Sequence, residues 1–431
     1  MKSQFLIAAP HSGAGKTTVT LAVLRSLQRK GLRVQPFKCG PDYLDPKHHT
    51  LAAGNESINL DRYMMPDAHV RELYAKYTDG AAISIIEGVM GLFDGANKMQ
   101  GSSAELSVFL DVPVILVVNA KAMAYSAAAL LYGYKHFYAG LTIAGVIFNF
   151  VNTPTHYRIL QEAAADVGIT ALGYLPEQEQ IKIPSRHLGL HISAETDYNS
   201  IINNAADHLE KYINVDELLE LTKRAAPVYT RSPASPAGDL RIAIAQDEAF
   251  NFVYKENINV LSQLGSIQYF SPLKDTVLPA ADLLYFPGGY PELHLPALAA
   301  NTSLLQQLQH YKGKILAECG GMMYLGTAIT DESGTIFPMA NLLPVHTSML
   351  QKKLSLGYRQ VFIDDVLLKG HEFHYSQYEK NTALTGSGIR VLNARDEVLA
   401  TPVFKTDNIL ASYLHFYFGD NVKGLKKVLG I

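Results

Sequence analysis

Residues 4–20, QFLIAAPHSGAGKTTVT, pass from a strand-length apolar run through two closely spaced glycines to a lysine and two threonines. Beyond Lys16 the apolar residues recur with helical period to about Lys30, where Gly31 closes the pattern. A glycine-rich turn joining a strand to a helix presents backbone N–H groups and the positive helix end to an anion. The amides of Gly13, Ala14, Gly15 and Lys16 are therefore expected to cradle nucleotide phosphates. Lys16 should reach the β/γ oxygens, Thr17 should hold magnesium, and Thr18 and Lys38 complete the ATP-binding set. The strict P-loop spacing asks for glycine at position 10, where Pro10 stands, but every contacting group is kept. Deviant P-loop regulatory ATPases would carry a second lysine at the place of His11, so they fit less well.

Outward from this loop, the first half alternates apolar strands with helical segments. After "LRVQPFK" come "ISIIEG", "VPVILVVNA", "TIAGVIFNF" and "ITALGYLP", with 156–167 suited to a helix. That alternation predicts a parallel sheet covered on both faces. The segment 230–240, TRSPASPAGDL, interrupts it with proline, serine and glycine and reads as a linker. A second α/β pattern follows in "RIAIAQD", a helix over 254–264, "SIQYF", "ADLLYFPGGY", a helix over 297–311 and "GKILAEC". Past residue 340 the strands come closer together, which favours antiparallel pairing. At 431 residues the chain exceeds what one core sustains. The expected organisation is α/β throughout, with a P-loop domain over 1–229, a linker over 230–240 and a second α/β domain over 241–431.

Composition narrows the function. The net charge is −3 without a basic stripe, which argues against nucleic acid. No apolar run approaches membrane-spanning length. The run "FLIAAP" leads straight into the glycine-rich loop with no long h-region, so no leader is expected, and two distant cysteines, Cys39 and Cys319, make no disulfide framework. A cytoplasmic enzyme of small molecules is expected, with a homodimer as the default assembly.

Acids gather after the predicted strand ends: Asp42 and Asp45 in "KCGPDYLDP" behind Lys38, Glu87 closing "ISIIE", and Asp94 in the next loop. Ligands of open α/β sheets bind at such ends, so these acids are candidates for magnesium and substrate, with Thr17, Glu87 and Asp42 as the metal set. The second half has its own station in "ILAECGGMMYLG", 315–326, where a strand ends in Cys319 and two glycines open a helix. This is the pattern of a nucleophile elbow. A helix N-terminus should lower the thiol pKa, and His415 in "SYLHFYF" is the candidate base. Amides near Gly320, and near Gly288 and Gly289 in "YFPGGY", are candidates for an oxyanion hole. Cys39 reads as core, and His371 and His374 are assigned no metal.

Together, "AGKTTVTLA", "KCGPDYLDP", "EGVMGLFDG", "IPSRHLGL", "PGGYPE", "AECGGMMYL", "LGYRQ", "GHEFHYS" and "ASYLHFYF" closely resemble the cobyrinic acid a,c-diamide synthase family nearly end to end. The resemblance implies a dethiobiotin synthetase-like ATPase domain followed by a class I glutamine amidotransferase domain. It implies ATP with Mg2+ as the phosphoryl donor, glutamine as the nitrogen source and a tetrapyrrole carboxylate as acceptor. The leading expectation is amidation of the a and c carboxylates of cobyrinate through acyl phosphates, with nickel-sirohydrochlorin on the coenzyme F430 route or hydrogenobyrinate as alternative substrates. A regulatory ATPase with an inert second domain is the distant alternative. In amidotransferase triads an acid usually lies two residues after the histidine, where this chain and the resembling family depart: here Tyr417 stands there. What orients His415 is thus an open expectation.

Overall fold

The computed structural model describes residues 1–186, 189–190, 196–230, 238–378 and 388–431, and counts of strands and partners refer to these. Most of the expected linker (231–237) and part of "IPSRHLGL" (187–188) lie outside the described residues. The chain divides into two compact units, Met1–Ser232 and Pro233–Ile431.

In the first unit, seven strands lie in the order β3-β2-β4-β1-β5-β6-β7. They are β1 (Lys2–Ala8), β2 (Val34–Cys39), β3 (Ile58–Leu60), β4 (Ile83–Glu87), β5 (Val114–Asn119), β6 (Ile143–Asn149) and β7 (Thr170–Leu175). All are parallel, and Lys223–Arg224 adds a short antiparallel pair to β1. Because both faces are covered, the central strands are apolar runs rather than alternations, and β1 is buried from Gln4 to Ala8. Helices α1 (Lys16–Arg29), α2 (Asp45–Ala53) and a later helix, Tyr198–Tyr212, cover one face around Val19, Val23, Leu27, Ile202 and Leu209. The strand order reverses beside β1 and β4, which places the P-loop and Glu87 together at the carboxyl edge.

The second unit has a six-stranded sheet whose parallel core is β8 (Leu240–Ala245), β9 (Gly265–Phe270), β10 (Leu283–Phe286) and β11 (Lys314–Glu318). The expected helix over 297–311 is two helices, Leu295–Ala300 and Thr302–His310. Asn301 breaks it: its carbonyl oxygen caps Leu304 N–H, and its amide donates to Pro272 O and Asp275 O, each at 2.8 Å. A second, antiparallel sheet includes β12 (Ser355–Ile363) and β13 (Val366–His374). The C-terminal apolar run also divides. β14 (Ile409–Ser412) joins β11 in the first sheet, and β15 (Leu414–Tyr417) crosses to pair with β13 in the other.

Candidate functional site

The P-loop turns on Gly13 and Gly15, whose φ values of 82° and 90° are left-handed. A side chain on Gly15 would also strike the Asn149 amide, which donates to Ala14 O at 2.9 Å. No acid occupies the first turn of α1, so none of the helix's own side chains there offsets its N-terminal dipole. Beside the loop, a pocket of about 120 Å3 is lined by Gly15, Thr18, Asn149, Phe150, Pro176 and His208, among others. The sequence reading missed Asn149, although its place at the end of an apolar strand is the signal that singled out Glu87.

Glu87 is fully buried and its Oε1 collects three donors: Thr17 Oγ1 at 2.7 Å, and Lys16 Nζ and Lys38 Nζ at 3.2 Å each. Lys16 also donates to Gly88 O at 2.6 Å. Burial alone would raise the carboxyl pKa, but Lys38, Lys16 and His49 outweigh it and hold Glu87 well below the ordinary range. Burial would likewise lower Lys38, but Asp45, Glu87 and Asp42 keep it well above the usual lysine value. Lys38 pairs directly with Asp45 and lies 3.7 Å from Asp42. Asp42 has a second task, since its Oδ1 accepts from Leu44 N at 2.9 Å and Asp45 N at 3.0 Å and so fixes the entry to α2. Asp94 stands apart from the cluster on an exposed turn, accepting from Gly91 N at 3.0 Å. Cys39 is buried, with its thiol pushed up to about 12 mainly by desolvation.

These groups suit magnesium. A hydroxyl and carboxylates beside a phosphate-binding loop are the oxygen donors with which a protein shares magnesium with phosphate groups. The donors are hard oxygens: Thr17 Oγ1 and Glu87 Oε1 lie 2.7 Å apart, and Asp42 is 3.7 Å from Lys38 in the same cluster.

In the second unit, Cys319 ends β11 at φ 46°, ψ −108°, a strained conformation, and starts the helix Gly320–Leu325. Cys319 N–H donates to Ser412 O at 2.7 Å and Cys319 O accepts from Met323 N at 3.0 Å. The glycine pair is required by close approach: a Cβ on Gly321 would strike Phe286 O, and one on Gly320 would lie 2.7 Å from Pro291 Cδ and 3.2 Å from Gly289 N. Gly289 and Gly320 are therefore close neighbours at the start of this helix. Gly288 touches the His415 ring so closely that any side chain would clash.

The expected lowering of the Cys319 pKa does not occur. The helix has six residues and the thiol is 5% exposed, so burial raises its pKa strongly. Glu292, Glu372 and Glu318 push the same way, and the Gly320 N–H only partly offsets them. His415 is also buried, and desolvation, aided by His371 and His374, drives its pKa well below the usual histidine value. The resting pair is a thiol and a neutral imidazole.

Tyr417, at the place of the usual acid, packs edge-on against Tyr254 with ring centroids 5.5 Å apart. His415 instead stacks on His371 at 4.9 Å and 14°, because β13 and β15 pair these two residues in register. Tyr254 Oη lies 3.0 Å from His371 Nδ1. On the other face of β13, Glu372 accepts from Arg359 at 2.7 Å and bonds His374 at 2.8 Å. "GHEFHYS" thus supplies an orienting ring and a buried charge network, roles that its strand alternation allowed but did not specify. Glu318, beside Cys319, accepts from Tyr285 Oη at 2.8 Å and Phe416 N at 3.0 Å, anchoring β15 next to His415.

A P-loop unit with a buried carboxylate, followed by a unit with a cysteine elbow and a buried histidine, is the organisation of a nucleotide-dependent glutamine amidotransferase. Residues 5–190 match the CobQ/CobB/MinD/ParA nucleotide binding domain, and residues 241–422 match the CobB/CobQ-like glutamine amidotransferase domain. The chain is 40% identical to a cobyrinate a,c-diamide synthase of Salmonella typhimurium, over 98% of this chain and 96% of that protein. It is 40% identical to a hydrogenobyrinate a,c-diamide synthase of Brucella suis, over 95% and 97%, and 38% identical to a cobyrinate a,c-diamide synthase of Picrophilus torridus, over 97% and 96%. The chain belongs to the a,c-diamide synthase family. Among the described residues no helix is long and apolar enough to cross a membrane.

Proposed function

We propose that this chain converts the a and c side-chain carboxylates of cobyrinate to amides in cobalamin biosynthesis, in the cytoplasm, consuming one ATP and one glutamine for each. The reading is carried by the Glu87 cluster, in which Lys16, Thr17 and Lys38 converge on one carboxylate oxygen at the P-loop. A carboxylate oxygen is a poor leaving group. Transfer of the γ-phosphoryl of ATP to it gives an acyl phosphate and ADP, and ammonia then attacks the acyl carbon and expels phosphate. Lys16 and Lys38 orient the nucleotide and balance negative charge during transfer. Bound Mg2+, held by Thr17 and Glu87 with Asp42 nearby, would neutralise charge on the phosphate oxygens. Asp45 and Asp94 position the substrate, and the pocket beside Thr18 and Asn149 takes the nucleotide base.

In the second unit, Cys319 Sγ attacks the side-chain amide carbon of glutamine while His415 takes the thiol proton. The amides of Gly289 and Gly320 receive the oxyanion, and His415 returns the proton to the departing nitrogen. Ammonia leaves, and water hydrolyses the γ-glutamyl thioester to glutamate.

The test is a product-mass assay with ATP, Mg2+ and glutamine, offering cobyrinate, hydrogenobyrinate and nickel-sirohydrochlorin separately and in competition. A doubly amidated cobyrinate formed in preference is the expected result. No amidated cobyrinate, or a preference for either competitor, overturns the assignment of substrate.

A further inference from the structure

His49 has no side-chain exposure and lies at the middle of α2, outside every motif role assigned above. Its Nε2 is 2.6 Å from Glu87 Oε2, and its Nδ1 is 3.2 Å from Ser57 Oγ. The two oxygens of Glu87 are thus divided. Oε1 faces Thr17, Lys16 and Lys38 on the P-loop side, while Oε2 faces His49. Glu87 is an ionised acceptor, so the hydrogen between the two groups sits on Nε2, which donates to Oε2.

We propose that His49 is a positioning residue for phosphoryl transfer, fixing the Glu87 carboxylate so that Oε1 is presented to Thr17 and to the metal of the nucleotide. The last torsion of a glutamate is broad, so packing along the chain does not by itself fix the plane of the carboxylate. A short hydrogen bond to a charged acceptor in a dry site does. The supporting ring is itself held: Ser57 fixes one nitrogen, and the helix that carries His49 also carries Asp45, the partner of Lys38. One helix therefore sets both the carboxylate and the second lysine. Groups that orient a metal-binding carboxylate in this way are worth about 10- to 100-fold in metal affinity.

The inference rests on the reading that this site binds Mg-ATP, and calorimetry on the intact chain separates the two. If wild-type protein shows no Mg2+-dependent nucleotide binding, the reading of the site fails. If wild type binds, His49→Leu is expected to weaken nucleotide binding about 10- to 100-fold in Mg2+ while changing it less than about threefold in EDTA. His49→Gln, which keeps an N–H donor near the Nε2 position, is expected to recover most of the loss. Ser57→Ala leaves the ring in place, is not expected to disturb folding, and should weaken Mg2+-dependent binding about two- to fivefold. Ammonia-dependent amidation should show the same order in its apparent KM for Mg2+. Equal weakening with and without Mg2+ in a folded His49→Leu protein, or no recovery in a folded His49→Gln protein, overturns the proposal. If His49→Leu does not fold, an unchanged Mg2+ affinity in Ser57→Ala overturns it.

Discussion

Cys319 shows how little its immediate neighbours say about a buried thiol. The glycine pair and the helix start are where the sequence places them, yet desolvation outweighs one short helix end, and the thiol rests protonated. Proton transfer to the neutral His415 thus becomes part of the proposed attack. Cys319→Ser is expected to reduce glutamine-dependent amidation by on the order of 10³-fold or more while leaving ammonia-dependent amidation within about twofold. Comparison of the two nitrogen sources checks it, and equal loss with both would contradict the division of labour. Glu318 gives a separate test through stability. Burial raises its carboxyl pKa to about 8, so between its ordinary value and pH 8 the folded state holds a proton that the unfolded state has lost. Stability of the second unit should therefore fall as pH rises through that window, by at most about 1.4 kcal/mol per pH unit from this group. Glu318→Gln should flatten that part of the profile in denaturant unfolding across pH 5 to 8.

At the scale of elements, the answer to what holds His415 lies in a strand pairing. β13 and β15 meet in a register that lays His371 flat on His415, while β10 and the following turn bring Gly288 against the ring. His371 and Gly288 both pack on the imidazole, and position 417 carries no acid. His371→Ala should lower glutaminase kcat by roughly 10- to 100-fold with little change in KM for glutamine, since a small misplacement of a catalytic group has that cost. Steady-state kinetics of glutamate release measure it, and ammonia-dependent amidation serves as the unaffected control. A larger change in KM than in kcat would instead make His371 a glutamine-binding residue. The same elements mark the limits of sequence periodicity. The run "NILASYLHFYF" has the apolar character of one strand, but Tyr413 divides it between two sheets, and nothing local announces that. Asn301 breaks a helix because distant carbonyls at Pro272 and Asp275 receive its amide.

At the scale of the whole chain, acyl phosphate formation precedes nitrogen attack, so loss of the P-loop lysine should silence both nitrogen sources. Lys16→Ala is expected to reduce glutamine- and ammonia-dependent amidation alike, on the order of 10³-fold, in the same product-mass assay. Survival of the ammonia route would contradict the order of steps. What the sequence determined by itself was whatever depends on neighbours along the chain. This covers the strand, glycine turn and helix around Lys16, the elbow at Cys319, the acids after strand ends, and the change from parallel to antiparallel pairing in the second half. Those features follow from period, turn chemistry and spacing over a few residues. Only the tertiary structure decided which distant groups meet. His49 reaches Glu87 across 38 positions, and His371 reaches His415 through sheet register. The protonation of Cys319 and Glu318 was decided at the same level, because desolvation is a property of everything packed around a group rather than of the residues beside it.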